Sequence, residues 1–322
     1  MKVLVTGATG FLGRHVVARL LADRASVAAL VRTPNTAVLP SGVEMIPGDV
    51  SDQPSLELAM RGVDWVIHAA ARVATSGTWA EFDAANVTGT ATVLAAAQSA
   101  GVKRVVHVSS LSVYAVPADG VTITEDSPYE AGAGERGFYA RSKLMADRLA
   151  LQAAHGGAPV VVVRPGLLYG PGRRPPLARR AIAVGPFRAI LGSPRYLLPV
   201  SYVANVADAL LLAAQAEGAN GKAYTVVDAN VPQQEYTMRY RDAAGERWRA
   251  FYVPAALLMP LARAAEVAAS LARRAAPLTR HQLRRTTWSA SYDCTRAERE
   301  LGWRPRVDWV DGLRRSFAAE AR

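Results

Sequence analysis

The stretch KVLVTGATGFLG, residues 2–13, joins a short apolar run to a glycine-rich turn. The run is β-branched and nearly continuous, which is typical of a strand buried on both faces of a parallel sheet. Gly7, Gly10 and Gly13 follow directly, and a helical pattern begins beside them. Glycines at this spacing permit a tight turn, bring backbone N–H groups close to a pyrophosphate and let the helix pack closely on the strand. The stretch therefore predicts a dinucleotide-binding turn.

The alternation of strand and helix continues through the first 165 residues. Apolar, valine-rich runs predict strands, and the alanine- and leucine-rich segments between them predict helices. The predicted strands cover residues 2–7, 26–32, 65–70, 104–110 and 160–165, and the predicted helices cover residues 12–23, 54–61, 86–100 and 139–154. This alternation predicts an α/β fold with a doubly wound (Rossmann) parallel sheet.

The end of the second predicted strand bears on the choice of dinucleotide. An acidic residue is expected there when the ligand is NAD, because a carboxylate accepts hydrogen bonds from the ribose hydroxyls. This chain has Val31, Arg32 and Thr33 at that place, and no acid nearby. An arginine pairs with a 2′-phosphate, whereas an acid would repel it. Arg32 therefore favours NADP over NAD as the cofactor.

The sequence changes character after Gly170. Residues 171–180 are rich in proline and arginine and are typical of a loop, whereas 201–215 predict a strand followed by a helix. Residues 223–228 predict another strand, and the sequence from 232 onward predicts helices separated by prolines.

We interpret this change as a boundary between two domains. Residues 1–170 are predicted to form the NADP-binding domain, to which residues 201–228 return. Residues 171–200 and 229–322 are predicted to form a smaller, mainly helical substrate-binding domain.

The net charge of +11 is concentrated in the predicted second domain. Residues 171–200 hold six arginines and no acid, and residues 261–322 hold thirteen arginines against seven acids. A basic face suggests an anionic partner, such as a phosphate, an acyl carrier, a membrane surface or a nucleic acid. Solvated arginines would explain the same charge. The basic residues are not interleaved with aromatic residues, so we expect no nucleic acid as a partner.

The composition also limits the class of protein. Half of the 322 residues are apolar, and Cys294 is the single cysteine, so the chain forms no internal disulfide and fits a reducing compartment. Neither a signal peptide nor a membrane span stands out, and we predict a soluble, cytoplasmic protein. The five histidines show no spacing typical of metal ligands, and no metal is expected.

Seven motifs in order resemble the extended short-chain dehydrogenase/reductase superfamily, also called the NAD-dependent epimerase/dehydratase family. They are TGATGFLG, GDV at 48–50, HAAA at 68–71, NVTGT at 86–90, VSSLSVY at 108–114, YARSK at 139–143 and RPGLLYGPG at 164–172. Besides Arg32 and the catalytic residues named next, the resemblance implies cofactor contacts from Gly7, Thr9, Gly10, Phe11, Leu12, Asp49, Val50, Ala69, Ala70, Ala71, Asn86, Pro165, Gly166 and Leu168.

The resemblance also implies a catalytic set of Ser110, Tyr139 and Lys143. Tyr139 and Lys143 are four residues apart and share one face of a helix. Hydride transfer to or from a carbon requires proton exchange at the attached oxygen, and Tyr139 is the expected acid or base. Lys143 is expected to lower the pKa of the phenol and to hold the nicotinamide ribose, so both residues also contact the cofactor. Ser110 is expected to hydrogen-bond the substrate oxygen.

Departures from the family pattern indicate the substrate. Leu111 and Ser112 stand where sugar-nucleotide 4,6-dehydratases carry an Asp–Glu pair, and Leu167 replaces an asparagine that holds a substrate diphosphate in many epimerases. Residues 277–316 are similar to the ending of the 3β-hydroxysteroid dehydrogenase/isomerase-like branch. We therefore predict an oxidoreductase that interconverts a secondary alcohol and a ketone on a bulky hydrophobic substrate. Whether that substrate also carries an anionic group stays open.

Two other functions stay open at this point. A nucleotide-sugar epimerase would use the same residues, and the arginines of 171–200 support it. A non-catalytic NADP-binding protein would have no chemical need for the three catalytic residues. A homodimer and a peripheral membrane contact, the latter through residues 254–276, are also left open as interactions.

Overall fold

The computed structural model describes residues 1–34, 38–74, 76–115, 120–130, 137–175, 181–271 and 289–319. The strands in chain order are β1 (Lys2–Thr6), β2 (Ser26–Val31), β3 (Val43–Pro47), β4 (Trp65–His68), β5 (Arg104–Val108), β6 (Thr122–Ile123), β7 (Val160–Pro165), β8 (Leu167–Tyr169), β9 (Ala181–Val184), β10 (Phe187–Leu191), β11 (Leu197–Tyr202), β12 (Ala223–Val226), β13 (Ala229–Pro232), β14 (Arg249–Val253) and β15 (Ser291–Tyr292).

The helices are α1 (Phe11–Ala22), α2 (Gln53–Ala59), α3 (Trp79–Phe82), α4 (Gly89–Ser99), α5 (Phe138–His155), α6 (Val203–Gln215), α7 (Gln233–Ala244), α8 (Ala255–Leu271), α9 (Thr295–Leu301) and α10 (Trp309–Ala318). A π-helical turn, Asp83–Thr88, joins α3 to α4, and a 3₁₀ turn, Leu111–Val113, follows β5. None of the described helices is long and apolar enough to cross a bilayer.

Seven parallel strands form the central sheet, in the order β12-β7-β5-β4-β1-β2-β3. The chain runs outward from β1 in both directions, so the order reverses between β1 and β4. Ligands of open α/β sheets bind outside the carboxyl ends of the strands at this point. The predicted doubly wound fold is confirmed, and the site residues lie at this edge of the sheet.

The central sheet is buried on both faces. One face packs with α1 and α6 in a core that also contains Leu301 and Trp303, and the other face packs with α2, α4 and α5. A separate aromatic core includes Tyr169, Tyr236 and Trp248. Buried side chains on both faces explain why the predicted strands are apolar without alternation.

Several segments differ from the sequence predictions. The helix predicted from residue 86 is π-helical through Thr88 and becomes α-helical at Gly89. β3 was not predicted. Strands β9, β10 and β11 lie within residues 181–202, and only the last residues of β11 fall in the stretch 201–215 that predicts a strand. Strands β14 and β15 interrupt the helices predicted after residue 232. β14 pairs with β10, which is about 60 residues earlier in the chain, so its partner is not visible in the local sequence.

Candidate active site

The turn between β1 and α1 has a backbone that only glycine fits. Gly7 has φ of +71°, and a Cβ atom at Gly7 would lie 2.6 Å from the backbone nitrogen of Ala70. A Cβ atom at Gly13 would lie 2.1 Å from the carbonyl oxygen of Gly7. The turn is closed by a 2.9 Å hydrogen bond from the Gly10 N–H to the same carbonyl. These contacts hold the N-terminus of α1 against Ala69–Ala71, and the free N–H groups there fit the pyrophosphate of a dinucleotide.

The residues of this turn differ in what they can offer to a ligand. Thr9 and Gly10 are exposed, and Phe11 is half-buried at the start of α1. The Leu12 side chain is buried in the main core, so only its backbone is available to a cofactor. Ala69, Ala70 and Ala71 form the half-buried loop after β4 that faces the turn.

The predicted adenosine end brings Arg32 and Asp49 together at the ends of β2 and β3. Asp49 accepts hydrogen bonds from the backbone N–H of Ser51 at 2.9 Å and from its hydroxyl at 2.7 Å. These bonds lower the pKa of the Asp49 carboxyl, and the positive charge of Arg32 adds to the effect. Arg32 is exposed and can turn toward a phosphate, whereas Val50 packs against Gly89 at the start of α4.

Asn86 lies in the π-helical turn, fully buried, and uses its side chain within the protein. Its Oδ1 accepts from the Arg72 N–H at 2.7 Å. Its Nδ2 donates to the Arg72 carbonyl at 3.2 Å and to Ser142 Oγ at 2.8 Å. Asn86 therefore fixes the loop after β4 against α5. These hydrogen bonds give its side chain a positioning role, in addition to the cofactor contact that the sequence predicts.

The three predicted catalytic residues meet at the carboxyl end of β5. Ser110 follows β5 directly, and its Oγ accepts from the Ser112 N–H at 3.1 Å and hydrogen-bonds with Tyr139. Tyr139 and Lys143 are one turn apart in α5. Lys143 is buried, and its Nζ donates to the Val108 carbonyl at 2.8 Å. The structure therefore brings Ser110, Tyr139 and Lys143 together from two elements.

Burial shifts the pKa of both titratable members of this set. Removal from water lowers the pKa of Lys143 to about 8, against an opposing effect of Asp147. Removal from water also raises the pKa of Tyr139, and the hydrogen bond with Ser110 and the positive charge of Arg173 oppose that increase. The sequence interpretation assigned this opposing charge to Lys143. Arg173, which also lies over the Phe11 ring at 5.5 Å, is a site residue that the interpretation missed.

A buried ion pair supports the helix that carries Tyr139 and Lys143. Arg164, in β7, donates from Nε and Nη2 to the two carboxylate oxygens of Asp147 at 3.0 and 2.8 Å. Both side chains are at most 1% exposed. The guanidinium also donates to the hydroxyls of Tyr114 and Tyr129. Asp147 is one turn beyond Lys143, so this pair fixes α5 against the sheet directly below the site.

Ser110 and Tyr139 open into a cavity of about 250 Å³ with mainly apolar walls. Pro165 and Gly166 line it as well, whereas Leu168 packs against the main core. Its other lining residues are Leu111, Ser112, Leu167, Leu197, Pro199, Ala290 and Tyr292. Ser112 Oγ is buried and has no hydrogen-bond partner among the described residues. The four lining residues from 197 onward were missed, because no motif marks them in the sequence.

Comparison with known proteins identifies the family. The model of the NAD dependent epimerase/dehydratase family matches residues 3–226. A ketoreductase from Stigmatella aurantiaca, which acts on 4-hydroxy-2-methyl-3-oxo-4-farnesyl-3,4-dihydroquinoline-1-oxide, is 35% identical over 97% of this chain and 95% of its own length. The chain belongs to the NAD-dependent epimerase/dehydratase family.

Other family members give the same assignment. A 2-alkyl-3-oxoalkanoate reductase from Stenotrophomonas maltophilia is 32% identical over the full length of both chains. A 3β-hydroxysteroid dehydrogenase/Δ5→4-isomerase from Mycobacterium tuberculosis is 30% identical over 77% of this chain and 70% of its own length. The predicted nearness to the 3β-hydroxysteroid dehydrogenase-like branch is confirmed. This family member is an NAD(P)-dependent oxidoreductase of the extended short-chain type.

Solved structures agree with this placement. The dTDP-glucose 4,6-dehydratase DesIV from Streptomyces venezuelae, solved with NAD bound, superimposes with a TM-score of 0.76. It is 27% identical and covers the whole of this chain and 97% of its own.

Proposed function

We propose that this family member is an NADPH-dependent reductase that converts a ketone on a bulky hydrophobic substrate to a secondary alcohol. The observation that carries the proposal is the hydrogen-bonded Ser110–Tyr139 pair in the wall of a cavity that is lined mostly by apolar residues. Leu111, Leu167 and Leu197 supply apolar surface next to this pair. The named substrates of the ketoreductase and of the 2-alkyl-3-oxoalkanoate reductase are also ketones with large apolar parts, which supports the same class here.

The proposed mechanism assigns one task to each catalytic residue. The nicotinamide supplies the hydride when it is bound. Tyr139 donates its phenolic proton to the ketone oxygen, which stays bonded to the carbon and becomes the hydroxyl group of the alcohol, and the tyrosine becomes a phenolate. Ser110 donates a hydrogen bond to the same oxygen and stabilises the charge that develops on it. Arg173 stabilises the phenolate by its positive charge, and Lys143 is expected to hold the nicotinamide ribose.

The preference for NADPH rests on Arg32. Arg32 is exposed at the end of β2, and no acidic residue stands at this strand end; the carboxylate of Asp49, which lies near Arg32, follows β3. The structural relative described above binds NAD, so the fold by itself does not require NADPH. Arg32 therefore carries the choice between the two.

A nucleotide-sugar epimerase is the second candidate. Its support is structural, because UDP-sugar and dTDP-sugar enzymes superimpose on the full chain. Leu167 and Pro199 face the cavity where such an enzyme needs groups that hydrogen-bond a diphosphate or a sugar. These apolar side chains favour the ketone reductase over the epimerase.

The absorbance of NADPH in the presence of candidate substrates tests the proposal. The purified protein is mixed with bulky hydrophobic ketones and, separately, with UDP- and dTDP-sugars. Net NADPH consumption with an apolar ketone is expected. Conversion of a sugar nucleotide without net consumption would instead establish the epimerase. NADPH binding without turnover of any of these compounds would favour a non-catalytic binding protein.

The cytoplasmic location, the homodimer and the division into two domains remain predictions. The cofactor-binding domain would comprise residues 1–170 with 201–228, and the substrate-binding domain residues 171–200 and 229–322. β12 lies within residues 201–228 and pairs with β7 in the central sheet. This pairing supports the assignment of residues 201–228 to the cofactor-binding domain.

A further inference from the structure

Helix α8 carries large apolar side chains on its solvent-facing side. Leu257, Leu261 and Val267 are between 55% and 67% exposed, whereas Ala262 is fully buried. Leu257 and Leu261 are one turn apart and therefore share a face of the helix. Surface helices normally place their polar residues outward and bury the apolar stripe. α8 departs from this pattern, because large apolar side chains are exposed on it beside the exposed Arg263.

The small sheet of β9, β10 and β14 exposes a second apolar face. The strand register places Ile182, Val184, Phe187 and Phe251 on one side of this sheet. They are between 41% and 71% exposed, and the rings of the two phenylalanines lie 6.3 Å apart between centroids. Ile190, on the opposite side, is fully buried in the aromatic core. The exposed side therefore has no covering element among the described residues.

The two apolar faces follow each other along the chain. β14 ends at Val253 and α8 begins at Ala255, so the helix starts where the strand ends. Single exposed apolar residues are common on protein surfaces, but a cluster marks an interaction site. We call these two groups of exposed apolar residues, which the chain joins at Pro254, the α8–sheet surface, and it comprises Ile182, Val184, Phe187, Phe251, Leu257, Leu261 and Val267.

Arginines flank the α8–sheet surface. Arg249 pairs in register with Phe187, and Arg263 lies on α8. Arg247 and Arg249 line a surface cavity of about 700 Å³ that includes Phe187. Among the described residues, Arg247, Arg249 and Arg263 form no ion pair. Their charges are therefore available to an anionic partner.

The acidic residues at the same cavity are already engaged. Asp242 accepts from Arg241 at 3.1 Å, and Glu246 accepts from the indole N–H of Trp248 at 2.6 Å. The chain continues from α8 into residues 272–288, which lie outside the described part and whose sequence holds five arginines and no acid. Arginines therefore lie beside the α8–sheet surface in the structure, and further arginines come after α8 in the sequence.

We infer that the α8–sheet surface lies on an anionic lipid bilayer and inserts its apolar side chains among the lipids. Apolar side chains flanked by arginines match the chemistry of an interface with acidic headgroups. A second copy of this chain would bring arginines against arginines in a protein of net charge +11, which opposes a dimer through this surface.

The proposed function gives this surface a use. After residues 272–288 the chain returns to the wall of the active-site cavity at Ala290 and Tyr292. A bilayer contact on the preceding helix would present the protein to the phase in which a lipophilic ketone dissolves. This link to substrate supply rests on the proposed function, whereas binding to the bilayer does not.

Vesicle sedimentation without substrate or cofactor tests the bilayer contact. The full chain is mixed with phosphatidylcholine vesicles, with and without phosphatidylserine. We expect binding to the vesicles that contain phosphatidylserine, and about tenfold weaker partitioning for Leu257→Asp with Leu261→Asp, because two apolar anchors are lost and two repelled charges are gained. Leu58→Asp, on α2 and similarly exposed, is the matched control and should bind as the unmodified protein does.

Three results would overturn the inference. The first is no binding of the unmodified protein to anionic vesicles, and the second is unchanged binding of the doubly substituted variant. The third is an equal loss of binding in the Leu58→Asp control. If the double variant does not fold by circular dichroism, Phe251→Asp on the sheet replaces it with the same expected loss. A chain that binds vesicles but reduces no ketone would refute the proposed function and leave the bilayer contact standing.

Discussion

Tyr139 is the residue on which the proposed chemistry depends. Its partners come from two directions, since Ser110 hydrogen-bonds the phenol and Arg173 contributes a positive charge. Replacing Tyr139 by phenylalanine removes the proton donor and leaves the ring in place. We expect turnover to fall by about a hundredfold to ten-thousandfold, with NADPH affinity within a few-fold of the original. Steady-state rates and NADPH fluorescence titration measure the two quantities, and turnover that survives would remove Tyr139 from its role.

The charge of Arg173 should be visible in the pH dependence of ketone reduction. Tyr139 must be protonated to donate, so activity is lost as the pH rises through its pKa. Arg173 opposes the burial that raises this pKa. In Arg173→Ala the pKa of Tyr139 should rise further, and the alkaline limb of the kcat/KM profile should move to higher pH. The matched control is Arg174→Ala, and an equal movement in both variants would contradict a specific effect of Arg173.

Arg32 should decide between the two dinucleotides. A hydrogen-bonded charge pair contributes about 1.5–3 kcal/mol, so Arg32→Ala should weaken NADPH binding by about tenfold to a hundredfold. NADH binding should change little, because NADH lacks the 2′-phosphate. Dissociation constants for both cofactors measure this difference, with Arg61→Ala, an exposed residue just after α2, as the control. Equal losses for NADPH and NADH in Arg32→Ala would refute the phosphate contact.

At the scale of single elements, α5 depends on the buried pair of Asp147 and Arg164. The pair joins α5 to β7, and its members are at most 1% exposed. Removing one member of a buried pair leaves an uncompensated charge and costs about 3–5 kcal/mol. We expect Arg164→Met to lower the free energy of unfolding by that amount, as measured by denaturant titration.

An exposed ion pair provides the control for this prediction. Lys103 contacts Asp64 at 2.7 Å, and the Lys103 side chain is 73% exposed. Lys103→Met should change the free energy of unfolding little, because water screens the pair. Similar losses for Arg164→Met and Lys103→Met would show that burial of the Asp147–Arg164 pair is not what matters.

The π-helical turn before α4 shows what local patterns miss at this scale. Residues 86–100 have the composition of an ordinary helix, and the sequence predicts one. In the structure the turn Asp83–Thr88 widens and sets Asn86 against both Arg72 and Ser142. Ser142 belongs to α5, more than 50 residues later, so the hydrogen bond that accompanies the wide turn is a long-range one. π-Helical turns are often found at functional sites.

At the scale of the whole molecule, the C-terminal part shares a core with the cofactor-binding sheet. Trp303 is buried, and its indole N–H donates to the Asn205 carbonyl at 3.0 Å. The Asn205 side chain in turn accepts from the N–H groups of Arg306 and Val307 at 3.1 Å. The LGWRP sequence, 301–305, therefore contributes to packing between the C-terminal part and α6.

This shared core predicts a single cooperative unfolding transition despite the proposed division into two domains. Calorimetry of the full chain should show one transition, and saturating NADPH should move it as a unit to higher temperature. Trp303→Ala should lower the free energy of unfolding by about 3–5 kcal/mol. Two separate transitions in the unmodified protein would show that the cofactor-binding and substrate-binding parts unfold independently.

The sequence by itself determined the features that depend on neighbours in the chain. The glycine turn, the strand–helix alternation and the Tyr139–Lys143 spacing all express backbone geometry over a few residues, and the doubly wound sheet follows from them. Only the tertiary structure decided the walls of the cavity, where Leu197 and Pro199 meet Tyr292, and the approach of Arg173 to Tyr139. The physical reason is that these contacts join residues tens of positions apart, and their partners are set by chain topology, which local periodicity does not encode.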